Sequence, residues 1–356
     1  MVYYANKDTN KGATKMDIKQ LLETSLKQNA SDLHLSPGSP PLIRVDGELK
    51  PIEGEGIVDA ATSEKLIYSF MDSAQLEEFK TTHECDFAIS LPGLARFRVN
   101  VFLQANGVSA ALRTIPALVP TLEDLGSPPI FKKMLEAPNG LILLTGPTGS
   151  GKSTTLAAMI DYINNNKYCH IVTIEDPIEF SHKSKKSLVS QRQVHRDTDD
   201  FRSALRSALR EDPDVILVGE MRDLETIRLA LTAAETGHLV MATLHTSSAP
   251  HAVNRIVDVF PAGEKDMIRN MISESLQAVI CQTLIKKPAG GRVAAYEIMI
   301  GTPAVRNLIR ESQIAQLYSA MQMGSAFGMC TLDQYRRGLI DKKIITEVDL
   351  SANLAQ

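Results

Sequence analysis

A glycine-rich stretch in the middle of the sequence lies between an apolar run and an amphipathic segment. Residues 141–144 are all Leu or Ile, and residues 146–153 read Gly-Pro-Thr-Gly-Ser-Gly-Lys-Ser. Glycine tolerates positive φ values and lets backbone N–H groups approach an anion closely. After Lys152, apolar residues recur at positions 156, 159, 160 and 163, which is the spacing of one helix face. The order of strand, G-x-x-x-x-G-K-[ST] loop and helix predicts a phosphate-binding loop.

The residue types of this loop indicate how a nucleotide would bind. The backbone and the amino end of the following helix would surround the phosphates. The Lys152 ammonium would neutralise the β- and γ-phosphates, and the Ser153 hydroxyl would ligate Mg²⁺. The predicted nucleotide-binding residues are Gly146, Pro147, Thr148, Gly149, Ser150, Gly151, Lys152, Ser153 and Thr154.

Length and composition predict two domains, because a chain of 356 residues with 44% hydrophobic content is too long to fold around a single hydrophobic core of ordinary size. Residues 1–15 are polar after the first few and show no sustained period, which is typical of a flexible extension. Residues 16–115 predict a small α+β domain with an antiparallel sheet, and the prolines of residues 116–130 predict a linker. In residues 131–356, apolar strands alternate with helical segments, which predicts an α/β domain with a mostly parallel sheet.

Local patterns also predict individual elements. One helix is expected around Leu66 to Phe79, and hairpin turns are expected at Asp46-Gly47, Pro92-Gly93 and Ala289-Gly290-Gly291. In the second domain the predicted strands are 141–144, 170–174, 214–218 and 239–243, and the predicted helices are 152–164, 199–211, 223–236 and 264–280.

Charge and cysteine content exclude several classes of protein. A net charge of −4 gives no general attraction to nucleic acid or anionic lipid. The four cysteines are widely separated and form no C-x-x-C pair, which argues against a thiolate zinc site and a disulfide framework. No apolar run reaches the 18 or so residues that a membrane-spanning helix needs. We therefore expect a cytoplasmic protein without a nucleic-acid partner, whose membrane role would pass through another protein.

Two glutamates follow apolar strands at the places where ligand sites form in open α/β sheets. Glu175 ends the second strand, where it would hold Mg²⁺ through water or orient the attacking water; the alternative is an acidic turn. Glu220 follows the run 214–218, but Gly219 occupies the position where a usual Walker B strand has its aspartate. Glu220 is expected to polarise water for attack on the γ-phosphate. The alternative for Glu220 is an acid favoured by a helix dipole.

Two histidines bracket the strand 239–243. Their spacing does not suit a zinc site on one helical face, and a single histidine is often structural. His245 follows the strand and is expected to sense the γ-phosphate, and His238 precedes it.

Arginines alternate with apolar residues in the first domain. Arg96 and Arg98 are separated by Phe97, which predicts a strand with an apolar face and a basic face. Two interpretations stay open. The basic face is simply solvated, or these arginines, with Arg113, reach a nucleotide on a neighbouring subunit.

Taken together, these motifs resemble those of the type IV pilus retraction ATPases within the bacterial secretion ATPase superfamily. The resemblance covers about residues 16–345 and rests on the phosphate-binding loop, the acidic segment 173–179, the run 216–223 and the histidine segment 237–246. It also rests on the octet 304–311, Ala-Val-Arg-Asn-Leu-Ile-Arg-Glu, which differs from the family signature only at Val305.

The resemblance implies a PAS-like N-terminal domain, a RecA-like ATPase domain and a homohexamer docked on an inner-membrane platform protein. By this resemblance, Glu175, Glu220, His238 and His245 are catalytic or sensing residues, Mg²⁺ accompanies ATP, and Arg96, Arg98 and Arg113 act across subunits. The octet helix, with Arg306, Leu308 and Arg310, is expected to couple hydrolysis to retraction. Three alternatives remain: an accessory retraction ATPase, an assembly or type II secretion ATPase, and a nucleotide-dependent switch without turnover. The second class usually carries a four-cysteine zinc module, which this sequence lacks.

Overall fold

The computed structural model of the chain describes residues 16–45, 47–91, 95–115, 118–288 and 290–347. The chain divides into two compact units, with the boundary between Ala117 and Leu118. Several expectations lie outside the described residues: the extension at 1–15, the turn at Pro92-Gly93, and Asp46 and Ala289 of the other two predicted turns.

The first unit contains three helices and six strands among its described residues. In chain order they are α1 (Ile18–Lys27), β1 (Asp32–Leu35), β2 (Leu42–Val45), β3 (Glu48–Pro51), α2 (Ala60–Tyr68), α3 (Ser73–Thr82), β4 (Glu84–Leu91), β5 (Ala95–Gln104) and β6 (Gly107–Ile115). The single helix predicted around residues 66–79 is therefore wrong. The helix is interrupted there, because Asp72 forms a capping box with Gln75 and a new helix begins at Ser73.

The strands of the first unit form an antiparallel sheet in the order β3-β2-β1-β6-β5-β4. Alternate residues of β5, including Phe97 and Val99, are fully buried, while the arginines between them are partly exposed. This confirms the prediction of one apolar face and one basic face, as the two-residue period of a strand requires.

The second unit consists of helices and strands that alternate along the chain. In order they are α4 (Ile130–Leu135), β7 (Gly140–Thr145), α5 (Lys152–Asn166), β8 (His170–Glu175), β9 (Leu188–Gln193), α6 (Phe201–Ala208), β10 (Val215–Val218), α7 (Leu224–Glu235), β11 (Leu239–Thr243), α8 (Ala249–Asp258), α9 (Lys265–Ser275), β12 (Leu276–Lys286), β13 (Arg292–Ile300), α10 (Pro303–Arg310), α11 (Leu317–Met323) and α12 (Leu332–Asp341).

These strands form one sheet in the order β13-β12-β7-β11-β10-β8-β9. Its pairings are parallel except for the antiparallel pair β12–β13, which confirms the predicted mostly parallel sheet. Side chains of β7 alternate between two buried clusters. Leu141 and Leu143 pack on one face, and Ile142 and Leu144 pack on the other. Full burial of each such side chain stabilises the fold by about 1.5–3 kcal/mol, so packing on both faces stabilises the sheet.

Two strands of this sheet differ from the sequence expectation. The predicted helix 264–280 is wrong beyond Ser275, because Leu276 begins β12 and pairs with Leu141 of β7. A short buried apolar run has no period that separates a strand from a helix. Strand β9 was missed because its sequence, Leu-Val-Ser-Gln-Arg-Gln, is largely polar and forms an edge of the sheet.

Within the described ranges, no helix combines the length and the hydropathy needed to cross a membrane.

Candidate nucleotide-binding site

The candidate site lies where four parallel strands of the second unit end. Strands β7, β8, β10 and β11 are neighbours that run in the same direction, so their carboxyl ends share one edge of the sheet. In register, Ala242 of β11 lies beside both Leu143 of β7 and Val218 of β10, and Val218 lies beside Ile174 of β8. The phosphate-binding loop, Glu175, Glu220 and His245 therefore come to one edge, as the sequence predicts.

The phosphate-binding loop connects β7 to α5. Gly146 and Gly151 take φ values of 138° and 87°, which favour glycine, and α5 begins at Lys152. The Lys152 Nζ atom donates hydrogen bonds to the carbonyl oxygens of Gly146 at 2.8 Å and Pro147 at 3.0 Å. Burial lowers the pKa of Lys152, and the nearby Glu220 opposes that shift. A phosphate would offer the lysine charged acceptors in place of neutral carbonyls, which strengthens the hydrogen bonds.

Glu175 is the last residue of β8 and is partly buried among polar side chains. Its Oε1 atom accepts hydrogen bonds from Thr173 Oγ1 at 2.7 Å and from Gln191 Nε2 at 3.1 Å. Burial raises the pKa of Glu175 to about 7, although these two hydrogen bonds act in the opposite direction. Gln191 comes from β9, the strand that sequence patterns missed, so this partner of Glu175 was missed with it.

Glu220 lies just beyond β10 and faces two basic groups. Its Oε2 atom lies 2.7 Å from Arg222 Nη2, and its Oε1 atom lies 3.4 Å from His245 Nε2. Burial tends to raise the pKa of Glu220, but the hydrogen bond and charge of Arg222, with His245 and Lys152, lower it overall. Glu220 is not the cap of α7, because Asp223 accepts the first N–H groups of that helix. The alternative of a helix-terminal acid is therefore wrong for Glu220.

The structure explains why Gly219 stands where a Walker B aspartate is usual. The Gly219 backbone N–H donates to the Ile174 carbonyl at 2.8 Å. A Cβ atom at position 219 would lie 3.1 Å from that carbonyl oxygen and 3.3 Å from the Glu175 Cα atom. The close approach of β8 leaves little room for a side chain there. The carboxylate consequently comes from the next position, Glu220.

The two histidines of the segment 237–246 lie at opposite edges of the sheet. His245 follows β11 on the loop side, and its side chain is 44% exposed. His238 precedes β11, and its Nδ1 atom lies 2.9 Å from the Ala233 carbonyl oxygen of α7. A strand of five residues, roughly 15 Å long, separates the two positions. Within one chain His238 therefore lies at the sheet edge away from the phosphate-binding loop, because a strand places its two ends at different edges, and its expected catalytic role stays a prediction.

The three candidate trans-acting arginines lie in the sheet of the first unit. Arg98 Nη2 is 3.1 Å from Asp86 Oδ2, and Arg113 Nε is 2.9 Å from Asp32 Oδ1. Arg96 lies two residues before Arg98 on β5, hence on the same face of the strand. These ion pairs with acidic residues of the same unit agree with the interpretation that the basic face is simply solvated. The Arg113 side chain remains 67% exposed in spite of its ion pair.

The octet 304–311 forms most of α10 and its carboxyl end. Thr302 caps this helix by accepting from the Val305 N–H at 3.3 Å, and Pro303 is its first residue. Val305 and Ile309 are fully buried, and Leu308 packs partly against the same cluster.

The two arginines of α10 differ in their surroundings. Arg306 donates to the carbonyl oxygens of Gly301 at 2.8 Å, Glu274 at 2.7 Å and Leu276 at 2.9 Å. Arg310 pairs with Glu274 Oε1 at 2.7 Å and is 44% exposed. The two arginines therefore do not form one exposed cationic row, because Arg306 is held by backbone carbonyls while Arg310 pairs with a side chain at the surface.

The arginines of α10 lie at the other edge of the sheet from the phosphate-binding loop. Leu276, whose carbonyl accepts from Arg306, pairs with Leu141 near the start of β7. The loop follows the end of the same strand. The residues expected to couple hydrolysis to retraction and the residues expected to bind nucleotide thus lie at opposite ends of β7.

Two buried polar residues near the loop were missed by sequence reasoning. Gln282 of β12 contacts the phosphate-binding loop, and Glu297 of β13 accepts the Ala249 N–H at 2.8 Å at the start of α8. Neither residue belongs to a recognisable motif. Their partners lie 132 and 48 positions away along the chain, so sequence spacing carries no signal for these contacts.

The raised pKa of Glu175 leads to a prediction for the nucleotide-free chain. The folded pKa of about 7 exceeds the ordinary value of 4.5, so folding favours the protonated carboxyl and loses stability as pH rises through that interval. Glu175→Gln should therefore be more stable than wild type above pH 7, by up to about 3 kcal/mol, and equal to it near pH 4.5. Thermal unfolding of both proteins from pH 4.5 to 8 measures the difference. A difference that does not vary with pH would contradict this origin of the shift.

Comparison with known proteins places the chain in a family. Residues 7–341 match the family model described as Type II/IV secretion system protein. The Pseudomonas aeruginosa protein named Type IV pilus retractation ATPase PilT is 62% identical over 336 residues, which cover 93% of this chain and 96% of that protein. The P. aeruginosa Type IV pilus ATPase PilU is 41% identical over 95% of this chain and 88% of that protein.

A solved structure shares the fold over nearly the full length. The crystal structure of the pilus retraction motor PilT with bound ADP superposes with a TM-score of 0.87 at 47% identity, covering 94% of this chain and 96% of that one. The chain therefore belongs to the type II/IV secretion system protein family, within which it is similar to the PilT pilus retraction ATPases.

Proposed function

We propose that this chain is a motor ATPase that hydrolyses ATP to power type IV pilus retraction and twitching motility. The observation that carries the proposal is one sheet edge that joins a complete phosphate-binding loop to Glu220, an ionisable carboxylate with basic neighbours. The assignment to pilus retraction rests on the similarity to PilT, and the assignment of ATP hydrolysis is supported by the geometry of this sheet edge.

The residues of this edge suit an in-line attack of water on the γ-phosphate. The loop backbone and the amino end of α5 bind the phosphates, and Lys152 exchanges its two carbonyl acceptors for phosphate oxygens. Glu220, ionised near neutral pH, orients the attacking water and receives its proton. The bond from the γ-phosphorus to the bridging oxygen then breaks, which leaves ADP and phosphate. His245, beside Glu220, responds to the charge of the γ-phosphate.

Mg²⁺ fits this set of donors. The Ser153 hydroxyl at the first turn of α5 and the Glu175 and Glu220 carboxylates at the strand ends are hard oxygen ligands. Magnesium usually binds through few protein oxygens together with substrate phosphates, and when bound it neutralises charge on the β- and γ-phosphates. We assign Ser153 as the direct ligand and Glu175 as a carboxylate that acts through water.

The domain arrangement and the partners are also part of the proposal. We assign residues 16–115 to a PAS-like domain, 116–130 to a linker and 131–356 to a RecA-like ATPase domain. Arg96, Arg98 and Arg113 act on the nucleotide of the adjacent subunit in a homohexamer. The ring works at the cytoplasmic side of the inner membrane on a platform protein of the pilus machine. The 67% exposure of Arg113, in spite of its ion pair, supports access from another subunit.

The alternatives are less well supported. The accessory retraction ATPase is represented by PilU, whose identity to this chain is lower than that of PilT over a similar length. The sequence also lacks the paired cysteines that assembly and type II secretion ATPases usually carry in a zinc module. A switch without turnover would not need Glu220 beside the phosphate-binding loop.

Cells that lack their own retraction ATPase test this proposal. Wild-type chain should restore pilus retraction, and Lys152→Ala should not, because the phosphates lose their cationic partner. Arg310→Ala removes an exposed ion pair with Glu274 and a 3.4 Å hydrogen bond to Ser273 Oγ. Because both contacts lie far from the phosphate-binding loop, the variant should keep ATPase activity within about threefold while retraction is lost. Lys265→Ala on α9, which breaks the ion pair with Asp258 at the end of α8, is the matched control and should retract normally.

Two outcomes would count against this function. Failure of wild-type chain, shown to be expressed, to restore retraction would contradict the assignment to retraction. Equal loss of ATPase activity and retraction in Arg310→Ala would place α10 in the catalytic cycle rather than in coupling.

A further inference from the structure

The strand next to β7 contributes a buried glutamine to the phosphate-binding loop. Gln282 follows Cys281, which pairs with Thr145 at the end of β7, and Gln282 is 2% exposed. Its Nε2 atom donates to the Ser150 carbonyl oxygen at 2.7 Å. Its Oε1 atom accepts from Thr155 Oγ1 in the first turn of α5 at 2.8 Å. One amide group thus ties the loop to the helix that follows it.

The glycines of the loop make room for this residue. A Cβ atom at Gly146 would lie 2.2 Å from the Gln282 backbone oxygen, and one at Gly151 would lie 2.9 Å from Gln282 Nε2. Both distances are shorter than any side chain tolerates without movement of its surroundings. The first and last glycines of the motif therefore allow the close approach of Gln282 as well as the positive φ values of the loop.

The hydrogen bond to Ser150 fixes the direction of a backbone N–H group. The Ser150 carbonyl and the Gly151 N–H belong to the same planar trans peptide, in which the two bonds point in opposite directions. Holding the carbonyl toward Gln282 consequently directs the Gly151 N–H away from β12. The backbone N–H groups of such a loop are its phosphate-binding groups.

We propose that Gln282 is a positioning residue for nucleotide binding, which holds the loop in its phosphate-binding conformation before the nucleotide arrives. This inference rests on the proposed function of the loop. Preorganisation lowers the conformational cost of binding, so loss of the amide should weaken nucleotide affinity. A residue that served only the fold would change thermal stability and leave affinity unchanged.

Nucleotide binding by the full chain tests the proposal, with ADP as the titrant in calorimetry and ATP in steady-state assays. Gln282→Met removes the donor and the acceptor at similar volume, and should raise the Kd for ADP and the KM for ATP about tenfold, with kcat within about threefold. Thr155→Val removes one of the two hydrogen bonds and should raise the Kd about threefold. The double variant should bind no worse than Gln282→Met, because the two residues share one interaction.

Gln277 provides a matched control on the same strand. Its Nε2 atom donates to the Asn139 carbonyl oxygen at 2.9 Å, at the edge of the sheet away from the loop. Gln277→Met removes the same kind of hydrogen bond and should change the Kd for ADP by less than twofold, with a loss of thermal stability similar to that of Gln282→Met.

The outcomes separate this inference from the proposed function. ADP binding by Gln282→Met and by Thr155→Val within twofold of wild type, or equal weakening by Gln277→Met, would overturn the positioning role alone. If Gln282→Met does not fold, Thr155→Val decides the question. Wild-type chain that binds neither ADP nor ATP would overturn the proposed function and this inference with it.

Discussion

Replacing Glu220 with glutamine is expected to lower ATP turnover by about 10²-fold or more, while nucleotide affinity changes by less than about threefold. Glutamine keeps the size of the side chain and can still accept a hydrogen bond from Arg222, which lies 2.7 Å from the native carboxylate. It cannot take a proton from the attacking water, and positioned acid–base groups contribute about 10²–10⁴-fold to rate. Phosphate release at saturating ATP and ADP calorimetry measure the two quantities separately.

The matched control for this change is Glu235→Gln. Glu235 is an exposed glutamate at the carboxyl end of α7, at the edge of the sheet away from the phosphate-binding loop. Its replacement should leave turnover within about twofold of wild type. If Glu220→Gln also turned over within about twofold of wild type, the catalytic role would belong to another residue.

Replacing Arg306 with alanine is expected to destabilise the second unit by about 3 kcal/mol. The guanidinium donates to the carbonyls of Glu274 and Leu276, where α9 meets β12, and of Gly301, which follows β13. Hydrogen bonds from charged groups contribute about 1.5–3 kcal/mol each, with incomplete additivity. For a domain of this size the loss lowers the thermal midpoint by roughly 6–12 °C. Circular dichroism during heating of the whole chain measures the shift.

The comparison with Arg310→Ala makes this prediction specific. Arg310 lies on the same helix but forms a largely exposed ion pair with Glu274, so its loss should cost about 1 kcal/mol or less. Arg306→Lys keeps the charge but cannot reach three carbonyls in a planar arrangement, and should give an intermediate midpoint. A midpoint for Arg306→Ala equal to that of wild type would show that these bonds do not stabilise the fold.

The nucleotide edge was predictable because its signals are local. The phosphate-binding loop joins a strand to a helix within a few residues, and Glu175 and Glu220 each follow a short apolar run. Parallel strands bring such positions together without any further information from the sequence. The same rule gives the sheet edge at which each residue lies. His238 precedes β11 and therefore lies at the opposite edge from His245, which follows this strand.

The remaining features depend on contacts between distant parts of the chain. The first five residues of β12, 276–280, were predicted as helix because an apolar run fits both structures. Further along this strand, Gln282 bonds to Ser150 across 132 positions. Arg306 and Arg310 lie four residues apart on the same helix, yet the junction of α9 and β12 supplies backbone acceptors to Arg306. Tertiary packing determines these partners, and no regular spacing in the sequence indicates them.

Phosphate release by the purified full-length chain supplied with Mg²⁺ and ATP tests the central claim most directly. We expect continuous release by wild type over many turnovers, and release at the background rate by Lys152→Ala. Binding of ATP by wild type without phosphate release above the Lys152→Ala rate would contradict the claim, and would identify the chain as a nucleotide-dependent switch instead of a motor ATPase.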